Sequence, residues 1–361
     1  MSLEFNHESL GQRVLFGSGK ASDNLAQEIK RIGGTRVMVI AAEFEQSIAE
    51  KLTADLEIQL NYSDVVAHVP IETAEKARQA AREHDIDLIV SIGGGSTTGL
   101  AKAIALTDGI PIIAVPTTYA GSEATNVWGL TEAARKTTGV DNVVLPRTVI
   151  YDAALTVSLP VELSIASGLN GMAHCIDSMW APRADPINQA IAAEGLRALA
   201  AGLPVIKANG EDLAGREQAL YGAYLAAVAF ASAGSGLHHK ICHVLGGTYN
   251  LPHAQTHAVI LPRVVALNGP FAPEAMRRIG EALGSNDPQV ALNNLYSQLE
   301  APRALKDFGY DEQSIQESIE LILPVVPESN PRHITADLMR ELLESAWSGK
   351  SALASATNLQ R

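Results

Sequence analysis

Short runs of β-branched and aliphatic residues alternate with amphipathic stretches through the first part of the chain. Arg36-Val-Met-Val-Ile40 reads as a strand, the segment through Ala49 and Leu52 as a helix, Val65 to Val69 as a strand, Ala74 to His84 as a helix and Leu88-Ile-Val-Ser-Ile92 as a buried strand. A helix from Ser96 to Leu106 and a strand at Pro111-Ile-Ile-Ala-Val115 extend the series. Strand and helix in turn predict βαβ units and a parallel sheet, with ligands at the carboxyl ends of the strands. After Val149-Ile-Tyr-Asp152, Ala, Leu and Glu at helical spacing take over through to Arg361, which predicts a helical domain. The expected division is an α/β domain over 1–155 and an all-α domain over 156–361, with the functional site in the cleft between them.

Composition narrows the class. At 361 residues and 47% hydrophobic, the chain is long enough for two domains, each with its own core. A formal charge of -13 disfavours nucleic acid and anionic membrane surfaces as partners, and leaves an anionic small molecule open. Cys175 and Cys242 form neither a CxxC pair nor a disulfide framework, and Met1-Ser-Leu-Glu-Phe-Asn-His7 has no signal-peptide pattern, so a cytoplasmic protein is expected. The apolar stretch Tyr221 to Gly234 is short and rich in small residues and reads as a closely packed buried helix.

Two loops carry phosphate-binding chemistry. Asp87-Leu-Ile-Val-Ser-Ile-Gly93-Gly94-Gly95-Ser96-Thr97-Thr98 runs from a buried strand through three glycines into a helix, where backbone amides and the helix dipole hold a pyrophosphate. Ser96 is placed to cap that helix. Val115-Pro-Thr117-Thr118-Tyr-Ala-Gly121-Ser122 follows the next strand, so an adjacent parallel strand brings its hydroxyls beside the first loop. Together they point to a dinucleotide held by Gly94, Gly95, Ser96, Thr97, Thr117, Thr118, Gly121 and Ser122. Ala41-Ala42-Glu43 offers no clear ribose carboxylate, which leaves NADH and NADPH both open.

Five of the ten histidines lie between His238 and His257, and a sixth, His174, sits in Gly168-Leu-Asn-Gly-Met-Ala-His174. Asn170 and His174 are four residues apart, as are His239 and His243, so on helices each pair shares a face. With His253 they converge on a proton-transfer or metal site. His238 and His257 fall outside that spacing and read as structural.

On these residues the chain resembles the group III iron-dependent alcohol dehydrogenases, and within them the maleylacetate reductase branch. The segments Arg13-Val-Leu-Phe-Gly17, Gly93-Gly-Gly-Ser96, Thr117-Thr-Tyr-Ala-Gly-Ser-Glu123, Trp128-Gly-Leu-Thr-Glu132, Leu145 to Asp152, Gly168 to His174 and the block ending at His253 carry the likeness over nearly the whole length. The resemblance implies a Rossmann-like domain followed by a helical one, the dehydroquinate synthase-like architecture, with an NAD(P)H cofactor. It also implies a homodimer, for which Gln12-Arg-Val-Leu-Phe16 is the candidate strand.

The resemblance further places His239 and His253 at metal-binding positions and His243 at the histidine associated with proton transfer. Metal-dependent members have an aspartate four residues before the histidine that His174 matches, and this chain has Asn170. Losing that negative charge lowers affinity for Fe²⁺ or Zn²⁺, so no catalytic metal is expected. Gly99 replaces an aspartate often found after Gly-Gly-Gly-Ser. Lys240 replaces a small residue and has several open roles: binding a substrate carboxylate, lowering an imidazole pKa, supplying a proton, or extending to water. The implied activity is reduction of the maleylacetate carbon–carbon double bond to 3-oxoadipate in aromatic compound degradation. His243, His253, His239, His174 and Lys240 are the catalytic candidates, and Asn170, Lys240 and His253 the substrate-binding ones. The rival readings are an Fe- or Zn-dependent alcohol dehydrogenase acting on a small polar aldehyde or ketone, a lyase of the dehydroquinate synthase type, and a nucleotide sensor.

Overall fold

The computed structural model describes residues 4–132 and 135–350. Met1–Leu3 and 351–361, the two ends of the expected domain spans, lie outside the described residues. Contacts divide the chain into two units, one built on Leu10–Pro160 with Glu211–Leu220, the other on Val161–Gly210 and Tyr221 onward together with the residues up to Ser9.

The first unit contains β1 (Arg13–Phe16), α1 (Ala21–Ile32), β2 (Val37–Ile40), α2 (Gln46–Thr53), β3 (Leu60–Tyr62), α3 (Ile71–Glu83), β4 (Leu88–Gly93), α4 (Gly95–Asp108), β5 (Ile112–Pro116), β6 (Val127–Glu132), β7 (Arg135–Val140) and β8 (Thr148–Tyr151). Six strands form one parallel sheet in the order β1-β8-β5-β4-β2-β3. Period-two alternation explains its unbroken apolar runs: Val37, Val39, Val90 and Ile92 pack into a core on one face, and Met38, Ile40 and Ile89 into a core on the other. The expected βαβ pattern holds, with two differences.

The third strand is Leu60–Tyr62, whereas Val65 to Val69 forms a turn in which His68 and Val69 take left-handed backbone (φ 63° and 49°). Val65 and Val69 still pack onto the core from that turn. Their β-branched character marks burial, and extension does not follow from it. The second difference is the antiparallel hairpin β6–β7, which the alternation of strand and helix gave no reason to expect.

The second unit is helical: α5 (Val161–Ser178), α6 (Pro186–Ala208), α7 (Leu213–Ala233, whose first turns group with the first unit), α8 (Leu237–Tyr249), α9 (His253–Asn268), α10 (Pro273–Ala282), α11 (Pro288–Gln298), α12 (Ile315–Ile322) and α13 (Ala336–Ser348). Helix α5 is buried at every residue from Ser164 to Ser178 and packs against α6, α8 and α9. Tyr221 to Ala233 is helical, with Ala223, Ala226, Ala227 and Ala229 fully enclosed. No single helix among the described residues is long and apolar enough to cross a membrane. Helix α8 runs unbroken through Gly246 and Gly247 and ends only at Asn250, whose left-handed φ of 52° turns the chain into α9.

Candidate active site

In the first unit, β4 and β5 pair with Gly93 opposite Pro116, so the loops that leave their carboxyl ends lie side by side. Gly94, and not Ser96, which lies inside the helix, takes the N-cap position of α4, leaving the amides of the first turn without intrahelical acceptors, as an anion site requires. Gly94, Gly95, Ser96, Thr118 and Ser122 are half-buried, and Thr97, Thr117 and Gly121 buried.

What joins the two loops is a residue the sequence reading passed over. The Glu45 carboxylate is 4% exposed and accepts from Thr117 Oγ1 at 2.7 Å and from Thr97 Oγ1 at 3.2 Å. Burial pushes its pKa up, and these hydrogen bonds, with one from the Gly94 amide, oppose that rise. The hydroxyl protons of Thr97 and Thr117 are therefore engaged within the protein, while those of Ser96, Thr118 and Ser122 stay outside this clamp. Glu43, in the segment that offers no clear ribose carboxylate, is exposed.

Gly93 must be glycine here. Its φ is 153°, and a Cβ would lie 2.3 Å from Glu45 Oε2 and 2.5 Å from Thr97 Oγ1. Gly93→Ala is expected to cost about 2–3 kcal/mol of stability and to weaken NADH binding. Urea unfolding and a fluorescence titration check both, and an unchanged midpoint would show that the clamp relaxes freely.

In the Ser122 loop, Lys102 is buried and donates to the carbonyls of Ser122 (2.6 Å), Thr125 (2.8 Å) and Val127 (2.8 Å). Burial draws its pKa down to about 7, with the Glu123 carboxylate opposing. The loop is thus held on a single ammonium group, a device that sequence spacing did not reveal.

In the second unit, α5 presents Asn170, His174 and Asp177 on one face at spacings of four and three. The imidazoles gather as expected. His174 stacks on His239 (ring centroids 4.8 Å, 13°), and Phe230 packs on both at 4.8 and 4.3 Å. His239 lies 5.9 Å from His243, and His257 lies 4.3 Å from His253 and 4.9 Å from His239. His238 and His257, read as structural, share a hydrogen bond of 2.9 Å. Asn170, His174 and His239 are buried, Lys240 half-buried, and His243 and His253 exposed. The cluster thus runs from a dry end to a wet one.

Burial lowers the pKa of His174 to about 3 and those of His238, His239 and His257 well below the ordinary imidazole range, with the neighbouring imidazoles adding to the effect. These four are neutral at physiological pH. Asp177, fully enclosed, decides the tautomer of one of them. Its carboxylate accepts the amides of Gly236 (2.8 Å), His238 and His239 (both 3.4 Å) and is 2.8 Å from His239 Nδ1. Burial raises its pKa to about 6, and the backbone amides oppose the rise, so near neutral pH it is ionised. His239 therefore donates its Nδ1–H to the Asp177 carboxylate and keeps a lone pair on Nε2, which has no hydrogen-bond partner among the described residues. As a neutral ring in this tautomer it offers the pocket an acceptor at Nε2 and no donor there. The signal for Asp177 was in the sequence, three residues after His174, but its partner lies on another helix.

Asn170, His174, His239 and His253 stand at the positions expected to ligate a metal. Asn170 brings no charge, and the donor atoms of the three histidines do not all lie within 4.8 Å of one another; among the described residues, the group of His, Cys, Asp or Glu that meets this spacing is His238, Cys242 and His257. Without a charged side chain among them, these donors ligate a divalent cation more weakly than a set that includes a carboxylate.

Residues 11–153 match the model of iron-containing alcohol dehydrogenases and 164–347 that of the C-terminal part of the same family. The maleylacetate reductase of Sphingobium indicum is 45% identical over 350 residues, covering 96% of this chain and 98% of that protein. Among solved structures, the iron-containing alcohol dehydrogenase of Corynebacterium glutamicum superposes with a TM-score of 0.97 at 59% identity, over 98% of this chain and 99% of the other. The maleylacetate reductase of Rhizobium sp. strain MTP-10005 gives 0.90 at 40% identity, over 96% and 99%.

Proposed function

The chain belongs to the iron-containing alcohol dehydrogenase family, and we propose that within it the protein is a cytoplasmic maleylacetate reductase that oxidises NADH and works without a catalytic metal. The observation that carries the reading is the neutral amide of Asn170, one turn from His174 in the buried centre of α5, in a chain that is similar over 96% of its length to a maleylacetate reductase. A saturated ketone develops full alkoxide charge on one oxygen, for which a metal ion is a strong stabiliser. In maleylacetate, hydride adds to the olefinic carbon β to the ketone, and the charge spreads over an enolate. Protonation at the α-carbon then completes 3-oxoadipate, consuming one NADH and one proton. Hydrogen bonds placed in advance suffice for such a charge, at roughly 3 kcal/mol per good donor.

Gly94, Gly95, Ser96, Thr118 and Ser122 hold the dinucleotide, with Thr97, Thr117 and Gly121 shaping the loops that carry it. His243 is the general acid, since it is exposed and exchanges protons with water while the buried imidazoles stay neutral. His253 and Lys240 supply donors to the enolate oxygen and the substrate carboxylates, and His174 and Asn170 orient the substrate.

Adding maleylacetate to enzyme and NADH is expected to consume NADH at a rate unchanged by exhaustive chelation. No consumption removes the assignment. Activity lost to the chelator with no change in melting temperature, and restored by Fe²⁺ or Zn²⁺, would return the protein to the metal-dependent alcohol dehydrogenases. The active form is a homodimer in this proposal, with β1, an outermost strand of the sheet, as its candidate element; light scattering that finds only monomer removes that part.

A further inference from the structure

We propose that His238, Cys242 and His257 form a metal site of their own, a buried pair of imidazoles and a thiolate suited to Zn²⁺ or a similar borderline cation, distinct from the family positions at Asn170, His174, His239 and His253. Its role is to pin α8 to α9, the two helices that carry His239, His243 and His253. This goes beyond the reductase assignment and does not depend on it.

Helix α8 sets His238 and Cys242 one turn apart on a common face, and α9 brings His257 against them. All three are buried and their donor atoms lie within 4.8 Å of one another. His238 Nε2 is 2.9 Å from His257 Nδ1 and 3.7 Å from Cys242 Sγ. A tetrahedral ion with metal–nitrogen bonds of about 2.0–2.1 Å and a metal–sulfur bond of about 2.3 Å sets those separations near 3.3 and 3.6 Å. Side-chain shifts of a few tenths of an ångström convert one arrangement into the other.

The charges also favour this site. The family-position set has lost its anionic donor at Asn170, whereas this one gains a thiolate at Cys242. Asp177, which accepts the His238 amide at 3.4 Å, adds a second negative charge beside it, so a divalent ion is neutralised. Binding releases one proton, from the thiol. The ring that donates in the bond between the two imidazoles moves its proton to its outer nitrogen, so both end with the proton on His238 Nδ1 and His257 Nε2, neither of which has a hydrogen-bond partner among the described residues. The bond given up is the one between the two rings.

The test uses the full chain, freed of metal by chelator and kept reduced under anaerobic conditions, then titrated with Co²⁺ and with Zn²⁺. One Co²⁺ per chain is expected, with the near-ultraviolet absorption of a cobalt–thiolate bond that Zn²⁺ displaces, and Zn²⁺ is expected to raise the melting temperature by several degrees. Cys242→Ser should lose both effects, while Cys175→Ser and His253→Ala keep them. Should Cys242→Ser fail to fold by circular dichroism, His257→Gln takes its place, expected to weaken Co²⁺ binding roughly tenfold or more. No thiolate absorption at saturating Co²⁺ overturns the proposal. So does a band that survives Cys242→Ser, or a metal uptake without thiolate absorption that His253→Ala abolishes.

Discussion

His243→Ala is expected to lower kcat with maleylacetate by a factor of 10² or more, with the affinity for NADH changed little. The reason lies in how the cluster is wetted. His174, His238, His239 and His257 are enclosed, and burial keeps them neutral, so none of them carries a spare proton at physiological pH. His243 and His253 are exposed, and on α8 His243 stands one turn beyond His239, with the two rings 5.9 Å apart. An acid must be recharged from water on every turnover, which favours the wet end. Steady-state kinetics beside a direct NADH titration separate the two effects. Near-normal turnover would take His243 out of the chemistry and move the role to His253 or Lys240.

The second large effect is on the fold and the pocket together. Asp177→Ala is expected to cost about 3–5 kcal/mol of stability, because it strips the buried partner from three backbone amides and from the His239 ring at once. Asp177→Asn keeps the shape but reverses the polarity of one contact, since an amide can donate to Nδ1 and move the imidazole proton to Nε2. That variant is expected to fold with a smaller loss and still to turn over slowly, as wrong-tautomer substitutions do in histidine-dependent enzymes. Urea unfolding reads the first variant, and kinetics with histidine NMR read the second. A melting curve for Asp177→Ala that matches the parent would show that the amides find other partners. The turn at Gly236 is cut to the same fit, because a Cβ there would lie 2.4 Å from Asp177 Oδ1.

How much of this the chain declared in advance depends on the range of the interaction. The strand–turn–helix at Gly93 to Ser96, the helical pairs Asn170/His174 and His239/His243 and the change of texture after Asp152 are local patterns. The period of a strand or a helix fixes them within a few residues. Val65 to Val69 failed as a strand because an apolar run reports burial, and a turn with two left-handed residues buries it equally well.

The clamp of Glu45 on Thr97 and Thr117, the three carbonyls around Lys102, the grip of Asp177 on His239 and the juxtaposition of His238, Cys242 and His257 were not legible. Each joins residues from different elements, brought together only when two cores close. The sequence by itself determined which chemistries were available: a glycine loop for phosphate, imidazoles for protons, and an amide where a relative's metal would have a carboxylate. Tertiary structure decided which of those groups are charged and which way their protons point. Protonation follows from burial and from partners distant along the chain, and neither is a property of local spacing.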